Sequence, residues 1–311
     1  MYVWYKTKEE WLADRVNHLG STDNVSINGY NKWSSALDVY NERTGKKQGF
    51  AGNAASTLGS HIENGLLRLC AEEHDAEIEY INEDDKPILG VRNDKYPFIQ
   101  VSPDGIFKVN GVRTLIECKT TNIYVTDPEV DMPSWIVQSN NNAVEIGVSD
   151  YIIVYFSFPT GTYNFFYGKV DLELYESCLK NTVNFWNNNL QKGIAPEPAI
   201  GRDVDRYYDS IADKCMNATA QIEELINQVK HYQGLEKNAS ELVDYYKDQI
   251  KLEMKDYEYI IGSDGVKLLS YKSGTRKSID ADLLKKNYPV IAKECTKESQ
   301  VRVMRFNQKQ F

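Results

Sequence analysis

The dipeptide Asn110-Gly111 is the feature that most constrains the fold of this chain. It separates two short runs, residues 106–109 and 112–116, which are rich in β-branched and aromatic side chains. Two such runs around Asn-Gly are the strongest short-range signal for a β-hairpin. The sequence therefore predicts a pair of antiparallel strands at this point.

Three ionisable side chains flank this predicted hairpin. Asp104 precedes it within Ser-Pro-Asp-Gly, and Glu117 and Lys119 follow within Glu-Cys-Lys. Because side chains alternate along a strand, Glu117 and Lys119 leave one face of the sheet and Cys118 leaves the other. Two carboxylates can bind Mg²⁺ or Mn²⁺, and a nearby ammonium can help to activate water or stabilise phosphate charge. The set suits phosphodiester hydrolysis, and a strand with an exposed salt bridge is the alternative.

Two other glutamates need to be weighed against this set. Glu253 and Lys255 repeat the Glu-x-Lys spacing, but within a helical pattern, where residues two apart diverge and form a solvated face. Glu63 lies beside the apolar stripe of a helix predicted over residues 53–76. It is either a solvated side chain or a carboxylate directed toward the metal site.

Composition excludes several classes of protein. The 311 residues contain no transmembrane-length apolar run and no signal-peptide pattern at the start, so a cytoplasmic protein with no membrane association is expected. No Cys-x-x-Cys pair, Walker A loop or Rossmann fingerprint is present, which disfavours zinc ribbons, iron–sulfur clusters, ATP use and nicotinamide chemistry. The net charge of −9 disfavours a general nucleic-acid coat protein, although eleven cationic and five anionic side chains follow residue 261.

The order of the predicted elements indicates an α/β fold. Helix, three strands, helix and strand follow one another, which is typical of a mixed central sheet flanked by helices. Pro196-Glu197-Pro198 marks a break, so we expect one domain over 1–200 and a second over 201–311. In the second, Gly234 is expected to divide a long helical stretch into an antiparallel helical hairpin. A β-hairpin follows around Gly262-Ser-Asp-Gly265.

These residues resemble the core of the PD-(D/E)XK nucleases. The resemblance rests on Glu63, Asp104, the Glu117-Cys118-Lys119 triplet and Gln138 on the following helix. It is closer to the phage-type recombination exonucleases, the lambda-exonuclease-type and YqaJ-like viral recombinases. Their N-terminal Arg…Gly-Ser-Asp segment is similar to Arg15 with Gly20-Ser-Thr-Asp23. The resemblance implies a restriction-endonuclease-like core with a mixed central sheet, followed by the helical hairpin and β-hairpin.

The resemblance implies an activity and its partners. Members digest linear double-stranded DNA from 5′ to 3′ with Mg²⁺, for which Mn²⁺ substitutes, and leave 3′ single strands for an annealing protein. A homo-oligomeric ring and a phage or prophage origin, in the cytoplasm of a bacterial host, are implied as well. In this scheme Asp104, Glu117 and the backbone carbonyl of Cys118 bind metal, and Glu63 supports a second metal. Lys119 orients or deprotonates the attacking water, and Gln138 belongs to the catalytic set.

The same resemblance assigns four residues to DNA. Arg15, Thr22 and Ser102 fall where the family binds the 5′-phosphate, and Thr22 keeps the hydroxyl of the usual serine. Asn140 replaces a second glutamine of the family and, being shorter, is expected to reach less well toward the lysine and its water. Two alternatives stay open: a structure-specific or restriction-like endonuclease on the same core, and a non-catalytic DNA-binding recombination accessory protein.

Overall fold

The computed structural model describes residues 1–47, 52–83, 86–209, 211, 214–275, 277–297 and 304. The chain forms two compact units, Met1–Tyr208 and Asp209–Phe311. The sequence places the boundary after residue 200, whereas the first unit extends to Tyr208. The difference is a short helix that is hydrogen-bonded to the first unit. Its Asp203 accepts a hydrogen bond from the Ser35 hydroxyl at 2.7 Å, and its Arg206 donates to the fully buried Asp38 at 2.9 Å.

The first unit contains both strands and helices. Its described strands are β1 (Tyr2–Tyr5), β2 (Glu77–Ile81), β3 (Ile88–Arg92), β4 (Gln100–Val101), β5 (Gly105–Val109), β6 (Val112–Thr121), β7 (Asp150–Ser157) and β8 (Thr162–Lys169). Its described helices are α1 (Lys8–Arg15), α2 (Ser21–Ile27), α3 (Ala36–Arg43), α4 (Ala54–Glu73), α5 (Pro128–Asp131), α6 (Pro133–Ile146), α7 (Leu172–Phe185), continued by a π-helical turn (Trp186–Leu190), and α8 (Gly201–Tyr207).

A five-stranded sheet of order β2-β5-β6-β7-β8 forms the centre of this unit. Strands β6 and β7 are parallel, and the other neighbours are antiparallel. The predicted hairpin is confirmed as β5–β6, with Val109 opposite Val112. Asn110 and Gly111 take φ of 49° and 79°, as a tight two-residue turn between twisted strands requires. The predicted α/β class with a mixed central sheet flanked by helices is confirmed.

Helices cover both faces of the central sheet. On one face α4 packs through Leu67 against Ile152 and Val154 of β7. On the other face α6 packs through Trp135 against Tyr151 and Ile153 of the same strand. This double coverage explains why β7 reads as a continuous apolar run rather than as an alternating one.

A smaller antiparallel sheet of order β1-β3-β4 lies beside the first. The sequence indicates a strand only at β4, so β1 and β3 are additions that the structure makes. The chain between α1 and α2 joins this sheet, because Leu19 forms an isolated parallel bridge with Ile99. The sheet therefore brings the N-terminal helices next to the start of the β5–β6 hairpin.

The second unit is organised around one long helix. Its described elements are α9 (Ala220–Met254), β9 (Tyr259–Ile261), β10 (Lys267–Ser270), α10 (Ala281–Asn287) and α11 (Pro289–Glu294). The predicted helical hairpin is wrong, because α9 runs unbroken through Gly234 for 35 residues. One interior glycine costs a helix only about 1 kcal/mol, too little to end it. The predicted β-hairpin is confirmed as β9–β10. None of the helices in the described part of the chain is long and apolar enough to cross a membrane.

Candidate active site

The end of strand β6 carries Glu117 and Lys119, the carboxylate and the ammonium predicted from the sequence. Leu115 of β6 belongs to the core on the α6 face and Ile116 to the core on the α4 face. Glu117 and Lys119 continue the first series, and the Lys119 ammonium donates to Glu117 Oε1 at 2.5 Å. Cys118 packs with the core on the α4 face, as alternation along the strand predicts. Glu117 is almost completely buried, with 2% of its surface exposed.

Asp104 meets this strand from the start of β5. Its Oδ2 accepts a hydrogen bond from the Cys118 backbone N–H at 2.8 Å. Gly105 follows at a point of tight packing, where a Cβ atom would lie 3.1 Å from Leu67. The glycine thus allows the first residue of β5 to lie close under α4, and Asp104 lies beside the end of β6.

Helix α6 supplies amide groups to the buried carboxylate. Gln138 Nε2 donates to Glu117 Oε1 at 2.8 Å, and Asn142 Nδ2 donates to Oε2 at 3.2 Å. Residues four apart lie on the same face of a helix, so both amides point at Glu117. Asn142 was not predicted from the sequence, although its spacing from Gln138 is a signal that would have found it.

Helix α4 contributes the third carboxylate. Glu63 interacts electrostatically with Glu117 and Lys119, and the side chain of Asn82 hydrogen-bonds to it. Burial raises the pKa of Glu63, and the charge of Glu117 raises it further. Burial also raises the pKa of Asp104 well above its usual range, with Glu117 and Glu63 adding to the effect. Glu63 is therefore in electrostatic contact with Glu117 and Lys119.

Lys119 is the cation within this acidic cluster. Burial by itself would lower the pKa of Lys119, but Glu117 and Asp104 more than offset that effect and raise it. The ammonium therefore stays charged at neutral pH. It can stabilise negative charge on a phosphate or hold a water by donating hydrogen bonds, while direct proton abstraction by Lys119 would first require deprotonation.

The donor set fits a hard divalent cation by its chemistry. Among the described residues, no group of three or more His, Cys, Asp or Glu side chains is arranged around one point to hold a metal ion. Asp104, Glu117 and the Cys118 carbonyl nevertheless offer oxygen atoms of the kind that Mg²⁺ and Mn²⁺ prefer. Burial raises the pKa values of Asp104 and Glu63, and the neighbouring carboxylates raise them further, so a bound cation would stabilise the ionised forms of both side chains.

A cavity of about 650 Å³ connects these acids with the predicted phosphate-binding residues. Its wall includes Glu63, Asp104 and Gln138, together with Arg15, Thr22 and Ser102. Trp11 contacts both Ser102 and Arg15. Its indole N–H donates to Ser102 Oγ at 3.1 Å, and its ring stacks under the Arg15 guanidinium at 4.9 Å. The structure therefore brings the three residues into one space with the acids.

Asn140, which the resemblance assigns to DNA, does not line this cavity. It is buried, with 1% of its surface exposed. Its amide donates to the Asp171 carbonyl at 3.0 Å and accepts from the Asp171 N–H at 2.7 Å. Residues two apart on a helix point in different directions, so Gln138 and Asn140 cannot both face Glu117.

A second cavity of about 360 Å³ lies on the other side of Glu63 and Lys119. Small polar side chains line most of it, among them Ser56, Thr120 and Asn122, and Phe158 closes one wall. Glu63 and Ser60 line both cavities. Glu63 thus lies between the two cavities, whereas Asp104 lines only the larger one.

Comparisons with known proteins agree with the sequence resemblance. Residues 10–132 match the model of the family described as the YqaJ-like viral recombinase domain. The uncharacterized protein YqaJ of Bacillus subtilis strain 168 is 29% identical over an alignment that covers 95% of this chain and 93% of that protein.

Two solved structures are also similar. The exonuclease LHK-Exo in complex with dAMP has a TM-score of 0.49 and 18% identity over 60% of this chain and 94% of its own. LHK-Exo is an alkaline exonuclease from Laribacter hongkongensis. A phage related exonuclease from Haemophilus somnus 129PT has a TM-score of 0.44 and 12% identity over 57% of this chain and 96% of its own.

Proposed function

We propose, from the match of residues 10–132 to the YqaJ-like viral recombinase domain family, that the protein is a metal-dependent exonuclease of phage-type recombination. It digests linear double-stranded DNA from the 5′ end and leaves 3′ single-stranded tails. The observation that carries the proposal is that Asp104 lines the same cavity as Arg15 and Thr22 and accepts a hydrogen bond from the strand segment that holds Glu117 and Lys119.

Each residue of the site has a part in this proposal. Asp104, Glu117 and the Cys118 carbonyl hold Mg²⁺ or Mn²⁺, and Glu63 supports a second ion. A bound divalent ion supplies Lewis-acid polarisation of the phosphate and a more acidic water. Lys119 donates to the water or to the phosphate oxygens, since its ammonium is charged. Gln138 holds Glu117 in place through its hydrogen bond to Oε1.

The cavity suits recognition of a DNA end. Arg15 is an exposed residue whose guanidinium stacks on Trp11, and Thr22 and Ser102 line the same cavity. A guanidinium and hydroxyls make the charge-assisted hydrogen bonds that a terminal phosphate requires. With the 5′-phosphate held there, the cleaved strand continues past the acids toward the second cavity at Phe158.

Digestion of matched DNA substrates tests this function. Linear duplex with 5′-phosphate ends, the same duplex with 5′-hydroxyl ends, and a covalently closed circle are incubated with the protein in Mg²⁺ or in EDTA. We expect loss of linear duplex in Mg²⁺ alone, fastest from 5′-phosphate ends, with the circle intact. Cutting of the circle would instead indicate an endonuclease, and binding without cutting would indicate an accessory DNA-binding protein.

The role of Arg15 is tested on the same substrates. Arg15→Ala should lose most of the preference for 5′-phosphate ends while it continues to cleave slowly. Arg113→Ala is a matched control, because this arginine of β6 pairs with Glu79 and does not line the cavity. Equal end preference in wild type and Arg15→Ala would remove Arg15 from the end-binding site.

Two further properties follow from the family premise. A homo-oligomeric ring around DNA and a single-strand annealing partner are part of the proposal. Mass photometry of the purified protein, with and without linear duplex, tests the ring. A monomer that still digests long duplex without dissociating would contradict it.

A further inference from the structure

A chain of two hydrogen bonds links the N-terminal side of the cavity to the catalytic carboxylate. The Ser21 hydroxyl donates to Asn142 Oδ1 at 2.6 Å, and Asn142 Nδ2 donates to Glu117 Oε2 at 3.2 Å. Ser21 begins α2 immediately before Thr22, and both residues line the larger cavity. The link therefore starts next to the proposed phosphate-binding residues and ends on Glu117.

The orientation of the Asn142 amide is fixed from both sides. A carboxylate accepts hydrogen bonds, so Glu117 needs the NH₂ group of the amide. If the amide were turned over, its oxygen would face Glu117 Oε2 and repel it. The Ser21 hydroxyl donates to the amide oxygen and so favours the orientation that serves Glu117. Asn142 is fully buried, so an amide group left without its partner there would be costly.

Oε2 of Glu117 depends on this link more than Oε1 does. Oε1 receives both the Lys119 ammonium and the Gln138 amide, whereas Asn142 is the donor that the structure gives to Oε2 in the described residues. We infer that Asn142 is a positioning residue that sets Glu117, and that Ser21 extends this control to the segment that binds the DNA end. The inference rests on the proposed function, because it assigns Glu117 to the metal and Thr22 to the DNA end.

Four variants of the full chain test the inference. Asn142→Ala removes the whole link, Ser21→Ala removes its outer half, and Ser21→Thr keeps the hydroxyl. Asn141→Ala is the matched control, because Asn141 is an equally buried neighbour on α6 whose amide donates to Asn24 at 2.7 Å instead of to Glu117. Calorimetry measures Mn²⁺ binding to the DNA-free protein. Initial rates on 5′-phosphorylated linear duplex give kcat and KM.

We expect Asn142→Ala to lower kcat by about tenfold to a hundredfold, the range for losing one hydrogen bond to a charged group. Mn²⁺ affinity should fall by about tenfold, with KM for DNA changing less than kcat. Ser21→Ala should lower kcat by about threefold to tenfold, the range for a neutral hydrogen bond, and Ser21→Thr should restore it. Asn141→Ala should lose stability but keep kcat and Mn²⁺ affinity.

The inference is overturned if Asn141→Ala and Asn142→Ala lower Mn²⁺ affinity equally, since the effect would then be one of helix packing. It is also overturned if Asn142→Ala binds Mn²⁺ as wild type does, or if Ser21→Thr behaves like Ser21→Ala. These outcomes differ from a failure of the proposed function, which would appear as absence of DNA cleavage by the wild type. In that case the Mn²⁺ comparison among the four variants still decides the inference.

Discussion

The structure favours one of the two roles predicted for Lys119, that of a charged hydrogen-bond donor rather than a base. Its ammonium lies within 2.5 Å of Glu117 Oε1 and is charged at neutral pH. We expect Lys119→Met, which keeps the length of the side chain, to lower the cleavage rate by about 10²–10⁴, as loss of electrostatic or proton-transfer assistance does. Mn²⁺ binding should persist in calorimetry. A near-normal rate in this variant would leave Lys119 as a structural partner of Glu117.

The buried carboxylates predict how stability depends on pH. An unfolded carboxyl titrates near pH 4, and the pKa values of Asp104 and Glu63 are raised in the fold. At a pH between the unfolded and the folded pKa of these carboxyls, the folded protein holds more protons than the unfolded chain. Stability therefore falls as pH rises through that window. In EDTA, we expect the Tm of the wild type to fall from about pH 5 to about pH 8, relative to Asp104→Asn. Each 1 kcal/mol corresponds to about 2–4 °C for a domain of this size.

Mg²⁺ provides the control for this pH experiment. A cation that relieves the repulsion should raise Tm more at pH 8 than at pH 5 in the wild type. Parallel Tm curves for wild type and Asp104→Asn in EDTA would show that this carboxyl does not take up a proton on folding.

At the scale of elements, the geometry of α6 separates side chains that the sequence groups together. Gln138 and Asn142 face Glu117, whereas Asn140 holds the Asp171 backbone at the start of α7. We expect Asn140→Ala to destabilise the fold by about 1–3 kcal/mol, because it loses two part-buried hydrogen bonds to the Asp171 backbone, each worth about 0.5–1.5 kcal/mol. Urea unfolding measures this loss, and kcat at low temperature should stay near that of the wild type. A large loss of kcat without loss of stability would return Asn140 to the site.

The sequence predicts those parts of the site that one strand pair builds. Asn110-Gly111 determines the hairpin, and the alternation along β6 then places Glu117 with Lys119 and opposite to Cys118. The contacts of Asn142 and Ser21 could not be predicted in this way, because they depend on how α2 and α6 pack in three dimensions. The prediction of a break at Gly234 fails for a different reason. A single glycine is only a weak helix-breaking signal, and α9 continues through it.

At the scale of the whole chain, cationic side chains gather in the second unit after residue 261. Lys267, Lys272 and Lys277 lie in the described part, while Arg276, Arg302 and Arg305 lie outside the described residues. If they contact DNA phosphates, replacing Lys272, Arg276 and Lys277 by glutamine should reduce the salt slope of duplex binding by roughly one unit per lost contact. The matched control neutralises Lys237, Lys247 and Lys251, which form ion pairs along α9. An identical reduction in both triple variants would mean that net charge alone is responsible.

Strand β6 and helix α1 differ in local stability. Strand β6 is hydrogen-bonded to a neighbour along each edge and buried in the sheet, whereas none of the eight residues of α1, all of them described, is buried. Amide hydrogen exchange should therefore be slowest around Glu117 and fast across α1, where opening needs no global unfolding. As temperature rises, Arg15 and Trp11 would fluctuate out of place while Glu117 and Lys119 stay in register. If the proposed function holds, the protein would then lose its discrimination between DNA ends while it still hydrolyses DNA, so heat would make it less selective before it became inactive.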